Sequence, residues 1–215
     1  MVSVRSTAVV VSAVTAAVVV YAVMWLGFRQ GWSWLSFLDS KSLASLHGVG
    51  VKHPSWVRFW EVVSVVFGPA AFRLLGAAAV VVVAVKRKLR AAVFLIVSIQ
   101  FSELVARTAK DLVGRPRPVT ALTHASASAF PSGHAVAVMV GVLALLTVLL
   151  PTISHPQRVA AVVAGALIVL AVGFGRVALN VHHPSDVLGG WALGYLYFAV
   201  CAWVIRPGAV DTRGP

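Results

Sequence analysis

A chain of 215 residues that is 60% hydrophobic and only 11% charged has too little polar surface to cover a water-soluble domain, so it reads as an integral membrane protein. Its net charge of +12 does not mark a nucleic-acid binder, because the basic residues gather at the ends of apolar runs, where cytoplasmic anchoring and an anionic substrate account for them. The single cysteine, Cys201, lies in the last apolar run and supports neither a disulfide framework nor a thiolate-rich metal site.

The first apolar run, Ser6 to Phe28, follows the short basic leader Met1 to Arg5. Its Ser12 to Leu26 stretch is long for the core of a secretory signal and no clean small-residue cleavage site precedes the polar turn, so the run is expected to be a retained span. From Gly31 to His47, Trp32, Trp34, Leu35, Phe37, Leu38, Leu43 and Leu46 alternate with serines, Asp39 and Lys41. That pattern predicts a helix lying in the membrane interface. Trp56 to Val85 would be about 45 Å long as one helix at 1.5 Å per residue. It exceeds a hydrocarbon core of about 30 Å, so it must tilt or project at one end. Lys86 to Arg90 is the densest basic cluster, and four further spans follow.

The expected fold is therefore all-α: a single membrane domain over 1–215, with six transmembrane helices near 6–28, 56–85, 91–110, 134–150, 159–177 and 186–206, and an interfacial segment at 31–47. Six crossings put both termini on one side. The loop Lys86 to Arg90, with Arg5, Arg158, Arg206 and Arg213, identifies that side as cytoplasmic. The other face carries as many basic residues, but Lys110, Arg115, Arg117 and Arg176 among them belong to polar clusters that suit a site better than an anchor. Segments 110–118, 130–134 and 176–186 then all open on the outer face.

In KDLVGRPRP, Lys110 to Pro118, two prolines end the helical pattern and hold Arg115 and Arg117 on an irregular segment. Guanidinium forks suit phosphate oxygens, although a basic loop facing anionic headgroups would look the same. In FPSGHA, Phe130 to Ala135, Ser132 is an N-cap candidate and Gly133 and His134 begin a helix whose free amides can receive an anion. A histidine at such a turn can equally be a cap or a packing residue. In VHHPSDVLGG, Val181 to Gly190, Pro184 suits the first position of the last helix and Asp186 its first turn. The carboxylate can accept a ring N–H from His182 or His183 and fix its tautomer, or merely cap the helix. Jointly, the clusters suggest phosphoryl transfer: cations on the equatorial oxygens, one imidazole attacking phosphorus, another protonating the departing oxygen.

These motifs resemble the type 2 phosphatidic acid phosphatase family of integral membrane phosphatases. Its first motif, a lysine, six residues and Arg-Pro, matches Lys110 with Arg117-Pro118; its second, Pro-Ser-Gly-His, matches Pro131 to His134. Its third, Ser-Arg, five residues, His, three residues and Asp, matches Arg176, His182 and Asp186, with Gly175 where the family has serine. The resemblance covers about Ala91 to Arg206. It implies His182 as a nucleophile forming a phosphohistidine, Asp186 as its orienting carboxylate, and His134 as general acid and then base. Lys110, Arg117 and Arg176 would clamp the phosphate, helped by Ser132 and the Gly133 amide. Arg115 is a second-rank phosphate ligand and His183 a local support. No cofactor or metal is implied, since the cations supply the charge neutralisation a divalent ion would provide.

An outer-face site suits a lipid phosphate within the bilayer as the partner, with no nucleic acid and no obligatory protein. The expected substrate is undecaprenyl or another polyprenyl diphosphate, in the plasma (inner) membrane; the alternative is phosphatidylglycerophosphate or phosphatidic acid. A transporter would explain Glu61, Arg73 and Glu103 in apolar runs, yet Glu103 and Arg107 can pair on one helix face and no inverted repeat is evident. A catalytically dead lipid binder would not need the full set of acid, nucleophile, carboxylate and cations.

Overall fold

The computed structural model describes residues 4–125 and 127–208. The Arg5 side chain and Arg213, both invoked for orientation, lie outside the described residues. All regular structure among these residues is helical: α1 (Val4–Arg29), α2 (Ser33–Lys52), α3 (Pro54–Val66), α4 (Pro69–Val85), α5 (Leu89–Leu95), α6 (Phe101–Val113), α7 (Gly133–Leu149), α8 (His155–Ala178) and α9 (Pro184–Ile205). Six stretches are long and apolar enough to cross a membrane: Thr7–Arg29, Pro54–Val85, Leu89–Val113, Gly133–Thr152, His155–Ala178 and Pro184–Ile205. Outward side chains such as Val18, Leu74, Leu104, Leu167 and Trp203 are exposed, as lipid-facing positions should be.

Two expectations are corrected. The second span is not one tilted helix: Gly68-Pro69 divides it into α3 and α4, because proline has no N–H to continue the ladder and its ring crowds the preceding turn. The third span starts earlier and ends later than 91–110, and a π-helical turn at Ile96–Gln100 joins α5 to α6. The segment after the first span is a helix, α2, that runs beyond His47 to Lys52. Its buried residues Leu35, Asp39 and Leu43 repeat every four residues, the stripe of a helix packed on one side. That side rests on α8 and α9, while Trp34, Phe37 and Leu38 point outward.

α7 and α9 form the central pair, with α1 against α9 and α8 and α4 against α7. Their approach depends on missing side chains. A Cβ at Gly190 would stand 2.7 Å from both Ala135 Cβ and the Ser132 carbonyl oxygen, and one at Gly194 would stand 2.8 Å from the Val136 carbonyl. Small residues at these points let the two backbones touch, which brings the starts of α7 and α9 together. Phe72, Val138, Val142, Val169 and Val172 fill the space between α4, α7 and α8, and Cys201 lies in a separate apolar cluster with Phe94 and Leu95.

Candidate active site

Four chain segments meet at one end of the bundle. α6 ends at Gly114, which takes the left-handed conformation (φ 65°) that suits glycine and lets the chain leave the helix. Lys110, in the last turn, donates to the Ser128 carbonyl, and the Ser128 hydroxyl donates back to the Lys110 carbonyl at 2.9 Å. This exchange ties the loop before α7 to α6. The turn between α8 and α9 folds back on itself, with the amides of Val181 and His182 donating to the Arg176 carbonyl at 3.2 and 3.3 Å. The Ser132 amide then donates to the Asp186 carbonyl at 2.9 Å, joining the start of α7 to that of α9.

Lys110, Arg117, Gly133, His134, Arg176 and His182 line one cavity of about 580 Å³. Arg117 is held from three sides: its Nε donates to the Ala127 carbonyl at 3.0 Å, and its Nη1 to the Val181 carbonyl at 2.7 Å and toward His182 Nε2 at 3.2 Å. An arginine can only donate, so His182 Nε2 carries the lone pair and Nδ1 the proton. His182 Nδ1 lies 3.6 Å from Asp186 Oδ2, slightly beyond a hydrogen bond. Burial lowers the His182 pKa to about 4, only partly opposed by Asp186. The ring is therefore neutral at ordinary pH, with its basic nitrogen facing the cavity cations. Burial also draws Arg117 below the usual guanidinium range, again opposed by Asp186.

The sequence did not separate the two histidines by contact with the carboxylate, and the geometry reverses the simple expectation. Asp186 Oδ2 accepts from the His183 amide at 2.7 Å and stands 3.0 Å from His183 Nδ1, closer than to His182. His183 starts α9 and braces the carboxylate, while His182 faces the cavity. Ser132 occupies the N-cap position of α7 without a side-chain cap bond, and its buried hydroxyl has no partner, as has Arg176 Nε. These two groups can still donate to an anion beside Gly133.

Arg115 corrects the second-rank phosphate assignment. It lies outside the cavity lining: Nη1 donates to Asp186 Oδ1 and Ser185 Oγ, both at 2.7 Å, and Nη2 donates to Asp39 Oδ2 at 2.8 Å. Its guanidinium also stacks over the Phe28 ring, with 4.6 Å from its carbon to the ring centroid. Asp39 itself was missed as a functional residue. It is 3% exposed and accepts from the Ser185 hydroxyl at 2.6 Å and the Ser185 amide at 3.1 Å. A signal existed: Asp39 interrupts the apolar stripe Leu35, Leu43 of α2 in a chain with only six acids. A charge there is stable only if paired.

Chemically, a buried neutral imidazole with an outward lone pair, a second imidazole and three cations around one cavity can receive a phosphate and transfer it. The sequence matches the family model described as PAP2 superfamily over residues 91–208. It is 41% identical to phosphatidylglycerophosphatase B of Bacillus subtilis (strain 168) over 99 residues, which are 44% of this chain and 48% of that protein. The match thus spans about half the length of that relative. The crystal structure of a transmembrane PAP2 type phosphatidylglycerolphosphate phosphatase from Bacillus subtilis superposes with a TM-score of 0.81, covering 92% of this chain and 98% of the other. At 19% identity, that likeness is one of fold.

Proposed function

Because the chain belongs to the PAP2 superfamily, we propose that it is a membrane lipid phosphatase working through a phosphohistidine, with phosphatidylglycerophosphate as its substrate. The observation that carries the reading is the position of His182 Nε2 on the same cavity as His134, Lys110, Arg117 and Arg176. The incoming phosphate draws Arg117 from His182 Nε2, whose lone pair attacks phosphorus as the bond to the lipid oxygen breaks. His134, charged by a proton that enters with the phosphate monoanion, gives it to that oxygen, releases the alcohol and is neutral again. Water, deprotonated by His134, then attacks phosphorus, the P–N bond breaks and phosphate leaves with His182 neutral again. Asp186 faces Nδ1 throughout and favours the imidazolium character that develops during attack. Lys110, Arg117 and Arg176 neutralise the oxygens, so chelators should leave turnover intact.

The family resemblance and a compact six-span chain favour a polyprenyl diphosphate, the substrate expected from the sequence; the 41% identity to a phosphatidylglycerophosphatase supports the glycerolipid instead. The site would open on the outer face of the plasma membrane, with both termini cytoplasmic. Purified protein offered both lipids should give the higher kcat/KM for phosphate release from phosphatidylglycerophosphate. A marked preference for polyprenyl diphosphate would restore that substrate. His182→Ala should abolish turnover without loss of folding, and near-normal phosphate release from the folded variant would refute the nucleophile.

A further inference from the structure

The cavity does not end at the catalytic cations. Its wall continues along α4 and α6 to Arg73, Glu103 and Arg107. Arg73 Nη2 reaches across from α4 to Glu103 Oε2 at 2.5 Å, and Arg107 pairs with the other oxygen of the same carboxylate. Two guanidinium groups thus share one carboxylate, and the cluster keeps a surplus positive charge. A helix-to-helix tether needs only one cation for one anion. The side chains of Arg73, Glu103 and Arg107 are 42%, 34% and 70% exposed. Within membrane-spanning stretches such charge is costly unless it meets water or an anion, and here it borders the site.

The spacing says which anion. On α6, Arg107 and Glu103 precede Lys110 by three and seven residues, a rise of about 4.5 and 10 Å toward the middle of the span. The i, i+4, i+7 spacing keeps all three on one side of the helix. A lipid whose reacting monoester sits at Lys110 therefore extends its leaving group along this stripe. Two directly joined phosphates share one bridging oxygen and leave no spacer between the groups held at Lys110 and at Arg107, whereas a glycerol bridge supplies one. Ser64, which lines the same cavity with a buried hydroxyl lacking a partner, adds a neutral donor.

Resting on the lipid phosphatase reading above, we propose that Arg73 and Arg107 form a second phosphate subsite, which holds the non-reacting phosphodiester of a glycerol-bridged substrate. Glu103 pairs the two arginines while the subsite is empty. The site thereby selects lipids with two spaced phosphates over those with one.

The test compares wild type, Arg73→Gln, Arg107→Gln, the double variant and Glu103→Gln on phosphatidylglycerophosphate, phosphatidic acid and polyprenyl diphosphate. Losing a charge-assisted contact should lower the ratio of kcat/KM for phosphatidylglycerophosphate over phosphatidic acid by about 10- to 100-fold in the double variant, mostly through KM. Glu103→Gln should lower KM for phosphatidylglycerophosphate. Because each variant is its own folding control, equal losses on all substrates, or none, would overturn the subsite while leaving the phosphatase reading in place. A wild-type protein releasing phosphate from none of the three would overturn both.

Discussion

Replacing Asp39 tests whether a helix outside the family motifs positions Asp186, the carboxylate behind the proposed nucleophile His182. Asp39 and Asp186 hold Arg115 from opposite sides, at 2.8 and 2.7 Å, and Ser185 completes the bridge by donating to Asp39 while accepting from Arg115. Removing Asp39 leaves a buried guanidinium with Asp186 as its remaining carboxylate. Breaking one partner of a buried pair costs about 3–5 kcal/mol. Arg115 is then free to draw Asp186 further from His182, from which it is already 3.6 Å away. A displacement of that kind outside the reacting groups can cost about 100-fold in rate. Asp39→Ala and Asp39→Asn should therefore lower kcat by about 10- to 100-fold with little change in KM, and lower the thermal unfolding temperature in detergent. Wild-type kcat in a folded Asp39→Asn protein would refute the reasoning, because the neutral amide cannot replace the carboxylate toward Arg115.

The buried His182 sets a pH dependence. Its folded pKa, about 4, lies below the ordinary 6.5, so the unfolded chain takes up a proton that the folded one refuses between these values. Stability is full above pH 6.5 and should fall as pH drops, by about 3 kcal/mol near pH 4 from this residue alone. Thermal unfolding of wild type against His182→Gln across that range checks it; identical pH slopes would count against a buried neutral histidine. Gly190→Ala should cost about 1–3 kcal/mol or more, since its Cβ would meet a backbone carbonyl at 2.7 Å, and should reduce turnover by separating α7 from α9. Unfolding temperature and kcat measured together would reveal a harmless substitution. His183→Ala should retain far more activity than His182→Ala, because its ring braces Asp186 outside the cavity lining; equal losses in phosphate release would reverse their roles.

What was legible in the sequence follows the range of the forces involved. Spans could be read because burial in lipid demands continuous apolar runs, and their ends because proline and glycine act locally. The break in the second span had such a local sign, the Gly68-Pro69 pair, but an apolar run of that length hid it behind a tilt. The cavity residues Lys110, Arg117, His134, Arg176 and His182 could be matched to motifs because fixed spacing on helix ends fixes where they emerge. The same spacing ranks Arg115 behind Arg117 but still leaves it a phosphate ligand. In a regular extended segment, residues two apart share a face, which would send both to the phosphate. The chain between Gly114 and Pro118 does not keep that regularity. Arg117 turns to the cavity and Arg115 to a carboxylate supplied 76 residues earlier by α2. Only packing reveals that partner, and it changes the role of α2. Besides presenting an apolar outer side, the helix contributes a buried charge to the scaffold under Asp186. A motif of spaced cations, histidines and one acid can thus name the groups that line the cavity proposed for the phosphate, while the group that holds the acid still lies in a segment with no motif at all.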